Sequence, residues 1–358
     1  MPTITATPSK SSETALLQGD FLEYASNYYK AKSANYLPAD YPDGYSPTGK
    51  KRPDDYAPKA LTLSWESNAR AKSYTVKLAT SKDLSDAASY ETLDKSLELP
   101  DLYAGTTYYY QIIAKFADKT VKSQVFSFKT ANLIRTIELD GVSNTRDCGG
   151  YDTIDGKRIR QGLFYRGGKL EEITAAAKEK ALKVYGFKTD LDLRAEAAAS
   201  PLGDGVNFVN VSGPYYVGST GVASNEDSSR GLWKGTYREA LLKEIQTFAN
   251  SDNYPIYVHC SLGRDRTGTI VALINALCGV DETNLYMDYE ASFFSTMGCL
   301  DGQTPQAMVG VQFASLMEYL NGYGADTLAK NTEAFMLDLG ATKEEIVSIR
   351  SILVAEKE

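Results

Sequence analysis

The sequence predicts a multidomain chain: an N-terminal all-β sandwich, then an α/β unit with a largely parallel central sheet flanked by helices. Three observations predict it. From about Tyr56 to Thr130 apolar residues recur at alternate positions, the period of a half-buried strand. After Leu133 short apolar runs alternate with longer helical stretches, which is the layout of parallel strands joined by helices. Within that region the apolar run Ile256-Tyr257-Val258 leads through a glycine-bearing loop into the mostly apolar segment Thr269–Cys278. A length of 358 residues suits two or three domains.

Residues 1–55 form an N-terminal segment, partly disordered or packing onto the domains. Its first dozen residues are rich in Ser and Thr and are expected to lack regular structure. The tyrosine-rich stretch Phe21–Tyr45 is expected to pack against either domain, with binding of a sugar or an exposed partner as the alternative. The β domain is placed at 56–131. Leu61, Leu63 and Trp65 share one face, followed by Tyr74, Val76 and Leu78, then Tyr108, Tyr110, Ile112 and Ala114, and finally Phe126 and Phe128. Turn-forming residues separate these runs, as in a small sandwich. The segment Leu102–Tyr108 resembles the tyrosine corner of fibronectin type III domains, and Trp65 on an early strand fits the same family.

The α/β domain is placed at 132–358. Strands are expected at Gly162–Tyr165, Thr189–Leu193, Val206–Val211 and Ile256–Val258. Helices are expected at Thr174–Tyr185, Tyr237–Asn250, Thr267–Leu277, Ala307–Leu320, Asn331–Leu339 and Thr342–Val354, the last opening with the capping-box pair Thr342 and Glu345. In such sheets the functional loop sits at the carboxyl end of a strand, where Cys260 falls.

Composition narrows the chemistry. A net charge of -8 argues against nucleic-acid partners, which need a basic surface. No apolar run is long enough to span a membrane. Residues Met1–Lys10 lack the regions of a signal peptide, so the chain is expected to be cytoplasmic, or secreted or at the cell surface if a signal has been removed. The four cysteines, Cys148, Cys260, Cys278 and Cys299, are too scattered for a disulfide framework or a zinc site. His259 is the single histidine, so a His-rich metal site is excluded and a general acid is expected to be a carboxylate. No metal and no cofactor are expected.

The stretch Val258–Gly268 carries the chemistry. Cys260 and Arg266 stand on one tight loop with five residues between them. Loop amides and the N-terminus of the following helix converge there, and both favour an anion. A thiol so placed ionises easily, and the forked donors of Arg266 suit a tetrahedral oxyanion. A thiolate beside a phosphate-shaped cradle points to phosphoester hydrolysis through a phosphocysteine. The backbone N–H groups of Ser261, Leu262, Gly263, Arg264, Asp265 and Arg266 are the expected phosphate binders. His259 is expected to lie hydrogen-bonded beneath the loop, with a modest effect on the thiolate as its alternative.

With His before Cys260, Gly263 at the third loop position, and Thr267 and Gly268 after Arg266, the loop closely resembles the cysteine-dependent tyrosine phosphatases. Further segments resemble the bacterial tyrosine and lipid phosphatase branch of that superfamily. They are Asn144-Thr145-Arg146-Asp147-Cys148-Gly149-Gly150, Leu163–Gly168, Asp190-Leu191-Asp192-Leu193-Arg194, Met287-Asp288-Tyr289 and Leu339–Ile346. The resemblance implies that Cys260 is the nucleophile and that Arg266 binds the transferred phosphoryl. Thr267 then donates to the thiolate, or alternatively caps the helix. Many relatives take their general acid from a Trp-Pro-Asp loop, but Trp233 is followed here by Lys234 and Gly235. Asp265 is the leading candidate, with Asp192 and then Asp227 as competitors, and a salt bridge to Arg264 or Arg166 is the structural alternative for Asp265. The segment Ser212–Lys234 is a candidate lid. Arg264 keeps the positive charge usual at its position, which implies affinity for phosphate-rich head groups, and Arg146, Arg166 and Arg194 are expected to pair structurally.

The expected activity is a metal-independent phosphatase acting on phosphotyrosine, with phosphoserine, phosphothreonine or phosphoinositide as further substrates. Its partner is then a phosphorylated protein, a phospholipid or an inositol phosphate. An inositol-polyphosphate (phytase-like) phosphatase and an inactive phosphate-binding adaptor are the alternatives. The presence of Cys260, Asp265 and Arg266 together argues against the adaptor. The β domain is expected to dock a partner or to shape the active-site entrance.

Overall fold

The structure, a computed structural model, describes residues 4–8, 13–31, 56–194, 198–213, 235–295 and 312–357. The chain divides into two compact units, one of residues Met1–Gln18 with Pro58–Arg135 and one of residues Gly19–Ala57 with Thr136–Glu358.

The first unit is built from β1 (Ile4–Thr7), β2 (Glu13–Thr14), β3 (Leu61–Ser67), β4 (Ser73–Ala79), β5 (Ala88–Thr92), β6 (Ser96–Leu99), β7 (Thr107–Lys115), β8 (Thr120–Lys122) and β9 (Phe126–Thr130). One antiparallel sheet runs β1-β3-β6, and a second runs β2-β9-β7-β4-β5 with β8 beside β7. Strict alternation along β3 and β7 turns Leu63, Trp65, Tyr110 and Ile112 into a shared core with Val76 and Phe128. Fully burying one such side chain contributes about 1.5–3 kcal/mol. The Tyr108 hydroxyl accepts the Tyr103 N–H at 2.8 Å, the tie expected of a tyrosine corner. The first dozen residues, expected to lack regular structure, instead supply edge strand β1, where Ile4 and Ala6 face the core. Alternation over four residues is too short to stand out from a Ser/Thr-rich background.

The second unit contains β10 (Arg146–Asp147), β11 (Arg158–Ile159), β12 (Phe164–Gly167), β13 (Thr189–Asp192), β14 (Asn207–Asn210), β15 (Ile256–His259) and β16 (Val354–Ala355). Its helices are α1 (Gly19–Ala31), α2 (Ala175–Lys183), α3 (Gly235–Ala249), α4 (Asp265–Leu277), α5 (Glu282–Ala291), α6 (Ala314–Asn321), α7 (Leu328–Leu339) and α8 (Lys343–Leu353). The main sheet has the order β10-β12-β15-β13-β14, antiparallel only between β10 and β12. Strands β12, β13 and β15 are buried along their whole length, as parallel strands covered on both faces are. Ala177 and Ala181 of α2 pack with Leu170, Phe187 and Tyr257. Helix α4 is buried from Thr267 to Leu277 and packs on α5, α7 and strands β12 and β15. Thr342 and Glu345 form the capping box that opens α8. Helix α1, not expected from the sequence, belongs to this unit: Phe21 and Tyr24 stack on Phe294 at 4.8 and 4.7 Å.

This topology puts the chemistry-bearing loop at the carboxyl end of β15. Gly167 and Asp192 on the neighbouring strands lie in register with His259.

Candidate active site

The loop from Cys260 to Arg264 joins β15 to α4. Gly263 takes φ +69°, and a Cβ there would come within 2.1 Å of the Gly167 carbonyl oxygen. Only glycine fits both the left-handed backbone and the close approach to β12. Helix α4 starts at Asp265, two residues earlier than expected, so its N-terminus points into the loop. The cap position falls on Arg264, which makes no side-chain cap bond, so Thr267 is not the cap of this helix.

The loop's carbonyls are gripped from outside. Asn144 Nδ2 donates to the Leu262 carbonyl at 3.0 Å. Arg166 Nη2 donates to the carbonyls of Gly263 at 2.7 Å and Arg264 at 3.2 Å. The C=O of one residue and the N–H of the next share a planar peptide and point opposite ways. Holding these three carbonyls outward therefore turns the N–H groups of Gly263, Arg264 and Asp265 toward the other side, which is what an anion cradle requires. Asp288 anchors the grip: it pairs with Arg166 Nη1, accepts Arg146 Nε at 2.9 Å and accepts the Tyr151 hydroxyl at 3.1 Å. Arg146 and Arg166 are both fully buried. Burial alone would raise the Asp288 carboxyl, but the two guanidinium groups outweigh it and hold it below the usual carboxylate range.

Cys260 is buried at 4 % exposure. Burial works against its thiolate, yet the hydroxyl and backbone N–H of Thr267 and the charge of Arg266 more than offset this and lower the thiol. Beneath the loop, His259 Nε2 lies 2.9 Å from Asp190 Oδ1, and Nδ1 lies 3.2 Å from the Cys260 carbonyl oxygen. Burial disfavours the imidazolium, but Asp190 and Asp192 outweigh it and the imidazole is raised above its ordinary value. By contrast, burial pushes the thiols of Cys148 and Cys278 up, the latter to about 12. Cys299 lies outside the described residues.

Arg266 donates from Nη1 to the Leu193 carbonyl at 3.0 Å, and its Nη2 lies 3.5 Å from Ser261 Oγ. Near it is Glu244 of α3, 1 % exposed, with no hydrogen-bond partner for either carboxyl oxygen among the described residues. Burial pushes its carboxyl well above the usual range, with Arg266 pulling the other way. A Cβ on Gly213 would approach Glu244 Oε1 to 2.7 Å.

The candidate acids differ in accessibility. Asp265 accepts Arg264 Nε at 2.8 Å and the Tyr289 hydroxyl at 3.1 Å, with its side chain 19 % exposed. Asp192 is 1 % exposed and is held on both oxygens by Arg194, at 2.9 and 2.8 Å. Asp227 lies outside the described residues, as does the candidate lid beyond Gly213. Arg264 departs from expectation: its guanidinium is fully buried, paired with Asp265 and 5.3 Å above the Phe293 ring, so its charge is balanced inside the unit rather than offered to a head group. Arg146, Arg166 and Arg194 do pair structurally, with Asp288 serving the first two and Asp192 and Glu171 serving Arg194. No group of metal-ligating side chains occurs among the described residues. No described helix is long and apolar enough to cross a membrane.

Glu244, the anchoring role of Asp288, and Tyr56 are functional features that the sequence does not announce directly. Glu244 had a signal: it sits among Leu241, Ile245 and Phe248 on the buried stripe of α3. Asp288 lies in the family-like segment Met287-Asp288-Tyr289, but its arginine partners are far away in sequence, and Tyr56 carries no signal at all.

Residues 137–355 match the family model described as "Tyrosine phosphatase family". The chain is 28% identical over 168 residues to a candidate tyrosine-protein phosphatase of Cupriavidus necator, covering 43% of this chain and 61% of that protein. It is 30% identical over 77 residues to another of Dictyostelium discoideum, covering 22% of this chain and 46% of that protein. The chain thus spans between about half and three fifths of the length of these two relatives. Among solved structures it is similar to the core catalytic domain of the PP-IP phosphatase SIW14 from S. cerevisiae, at TM-score 0.29 and 16% identity, over 42% of this chain and 85% of that one.

Proposed function

The chain belongs to the tyrosine phosphatase family, and from that premise we propose that it hydrolyses phosphotyrosine monoesters through a phosphocysteine at Cys260. The observation that carries this is a loop beside Cys260 whose Leu262, Gly263 and Arg264 carbonyls are held from outside by Asn144 and Arg166, with Thr267 and Arg266 lowering the Cys260 thiol. The Cys260 sulfur attacks phosphorus, an S–P bond forms and the ester P–O bond breaks. Asp265 gives its proton to the leaving oxygen. Water then attacks phosphorus, Asp265 takes back a proton, the S–P bond breaks, and inorganic phosphate leaves the regenerated thiolate. Arg266 and the N–H groups of the loop hold the nonbridging oxygens throughout, and Thr267 stabilises the departing thiolate. Both carboxylates pair with an arginine, and Asp265 is preferred to Asp192 because its side chain is 19 % exposed in the first turn of α4 against 1 % for Asp192. The N-terminal unit reads as a fibronectin type III-type sandwich, supported by its strand order and tyrosine corner.

A phosphate-release panel with EDTA present tests the reading, with phosphotyrosine peptide, phosphoserine peptide, phosphoinositide and phytate as substrates. Highest kcat/KM on phosphotyrosine is expected. A preference for phytate or phosphoinositide would move the substrate assignment to inositol phosphates. Release from none of them would leave a phosphate-binding adaptor.

A further inference from the structure

Tyr56 stands at the start of the sandwich in sequence, yet it reaches the loop-holding network of the phosphatase unit. Its ring stacks on Phe21 of α1 at 5.4 Å and 8°. Its hydroxyl accepts Arg146 Nη1 at 2.8 Å and donates to Asn144 Oδ1 at 3.3 Å, contacts that span 90 and 88 residues. Arg146 Nη1 also donates to the same Oδ1. With Oδ1 held from two sides, the Asn144 amide can point only its Nδ2 at the Leu262 carbonyl, 3.0 Å away. Asn144 takes φ +61°, a left-handed backbone that asparagine tolerates better than most residues. The relay is therefore Tyr56 to Asn144 to the Leu262 carbonyl, and through that peptide plane to the Gly263 N–H.

Resting on the proposed thiolate chemistry, we infer that Tyr56, which belongs to the same compact unit, is a positioning residue for the phosphate loop. Removing its hydroxyl leaves Asn144 Oδ1 held by Arg146 alone and takes one acceptor from Arg146 Nη1, which loosens the amide's hold on the Leu262 peptide and weakens the field that favours the Cys260 thiolate. The ring stack on Phe21 does not depend on the hydroxyl, so Tyr56→Phe keeps the packing.

The test reads the thiol itself. The rate of iodoacetate alkylation of Cys260 is followed against pH in the full chain, alongside kcat/KM on a phosphotyrosine peptide. For Tyr56→Phe the alkylation midpoint moves up by about half to one pH unit and kcat/KM falls about 3–10-fold, because the hydroxyl's bonds to Arg146 and to Asn144 are both lost. In an Asn144→Ala background the same substitution adds nothing, because its action passes through Asn144. Tyr24→Phe, which removes a hydroxyl bonded to Glu290 on α5, is the control: it lowers the melting temperature without moving the midpoint. A native midpoint and native kcat/KM in Tyr56→Phe would overturn the inference. So would an equal effect with and without Asn144. The alkylation readout needs no substrate, so a shifted midpoint in a chain without phosphatase activity would sink the proposed reaction and leave the positioning role standing.

Discussion

Arg166 donates from Nη2 to the Gly263 carbonyl oxygen at 2.7 Å, which ties strand β12 to the loop behind Cys260. The guanidinium is fully buried and Asp288 is the carboxylate that compensates it. The loop's shape therefore depends on an acid supplied by α5, a helix outside the strand-loop-helix unit.

Replacing Asp288 with Asn leaves two buried arginines without their counter-charge. Breaking a buried pair in this way costs about 3–5 kcal/mol, readable as a lower urea midpoint. The pH dependence has a definite sign. Because the folded carboxyl is depressed, its stabilisation is present above the unfolded value of 3.8 and fades as pH falls through the lower folded value. The gap between native protein and Asp288→Asn should close in acid.

Glu244 behaves in the opposite sense. Its folded carboxyl is raised, so its contribution to stability is full below the unfolded value of 4.5 and is lost as pH climbs through the folded value. Glu244→Gln keeps the neutral shape and removes the titration. Its stability relative to the native protein should rise in denaturant titrations as pH is raised above 4.5. A constant difference across that range would mean that the carboxyl is not held neutral.

Gly263→Ala meets both a left-handed backbone and the Gly167 carbonyl. A strained backbone position alone costs about 1–3 kcal/mol, and the contact adds to it. The variant should unfold at lower urea and lose vanadate or phosphate affinity measured by calorimetry. Unchanged affinity would place the anion elsewhere.

Asp265→Asn separates two roles for one carboxyl. As general acid it should cost about 10²-fold or more on alkyl phosphates and far less on nitrophenyl phosphate, whose leaving group needs no proton. Equal losses on both would assign Asp265 to holding Arg264, the pairing it makes at 2.8 Å.

Much of this was legible in the sequence where local rules operate. The alternation of β3 and β7 announces the sandwich core, Thr342 and Glu345 announce the start of α8, and Gly263 in a Cys-to-Arg loop announces the cradle. Strand β13 was found despite carrying Asp190 and Asp192, although its whole length is buried. Asp190 is inside with His259 of the neighbouring strand 2.9 Å away, and Asp192 is inside with Arg194 on both its oxygens. What stayed hidden are relations across long sequence distances. Asp288 meets Arg146 across 142 residues and Tyr56 meets Asn144 across 88, and no periodicity records such a meeting. The inward charge of Arg264 is hidden for a related reason: only the placement of Phe293 and Asp265 shows it.

The decisive measurement is mass spectrometry of the acid-quenched enzyme during turnover of a phosphotyrosine peptide. A phosphoryl group should be found on the peptide containing Cys260 in the native chain, and both the adduct and turnover should vanish in Cys260→Ser. Turnover at the native rate by Cys260→Ser, or a phosphoryl group on any other residue, would contradict the thiolate mechanism.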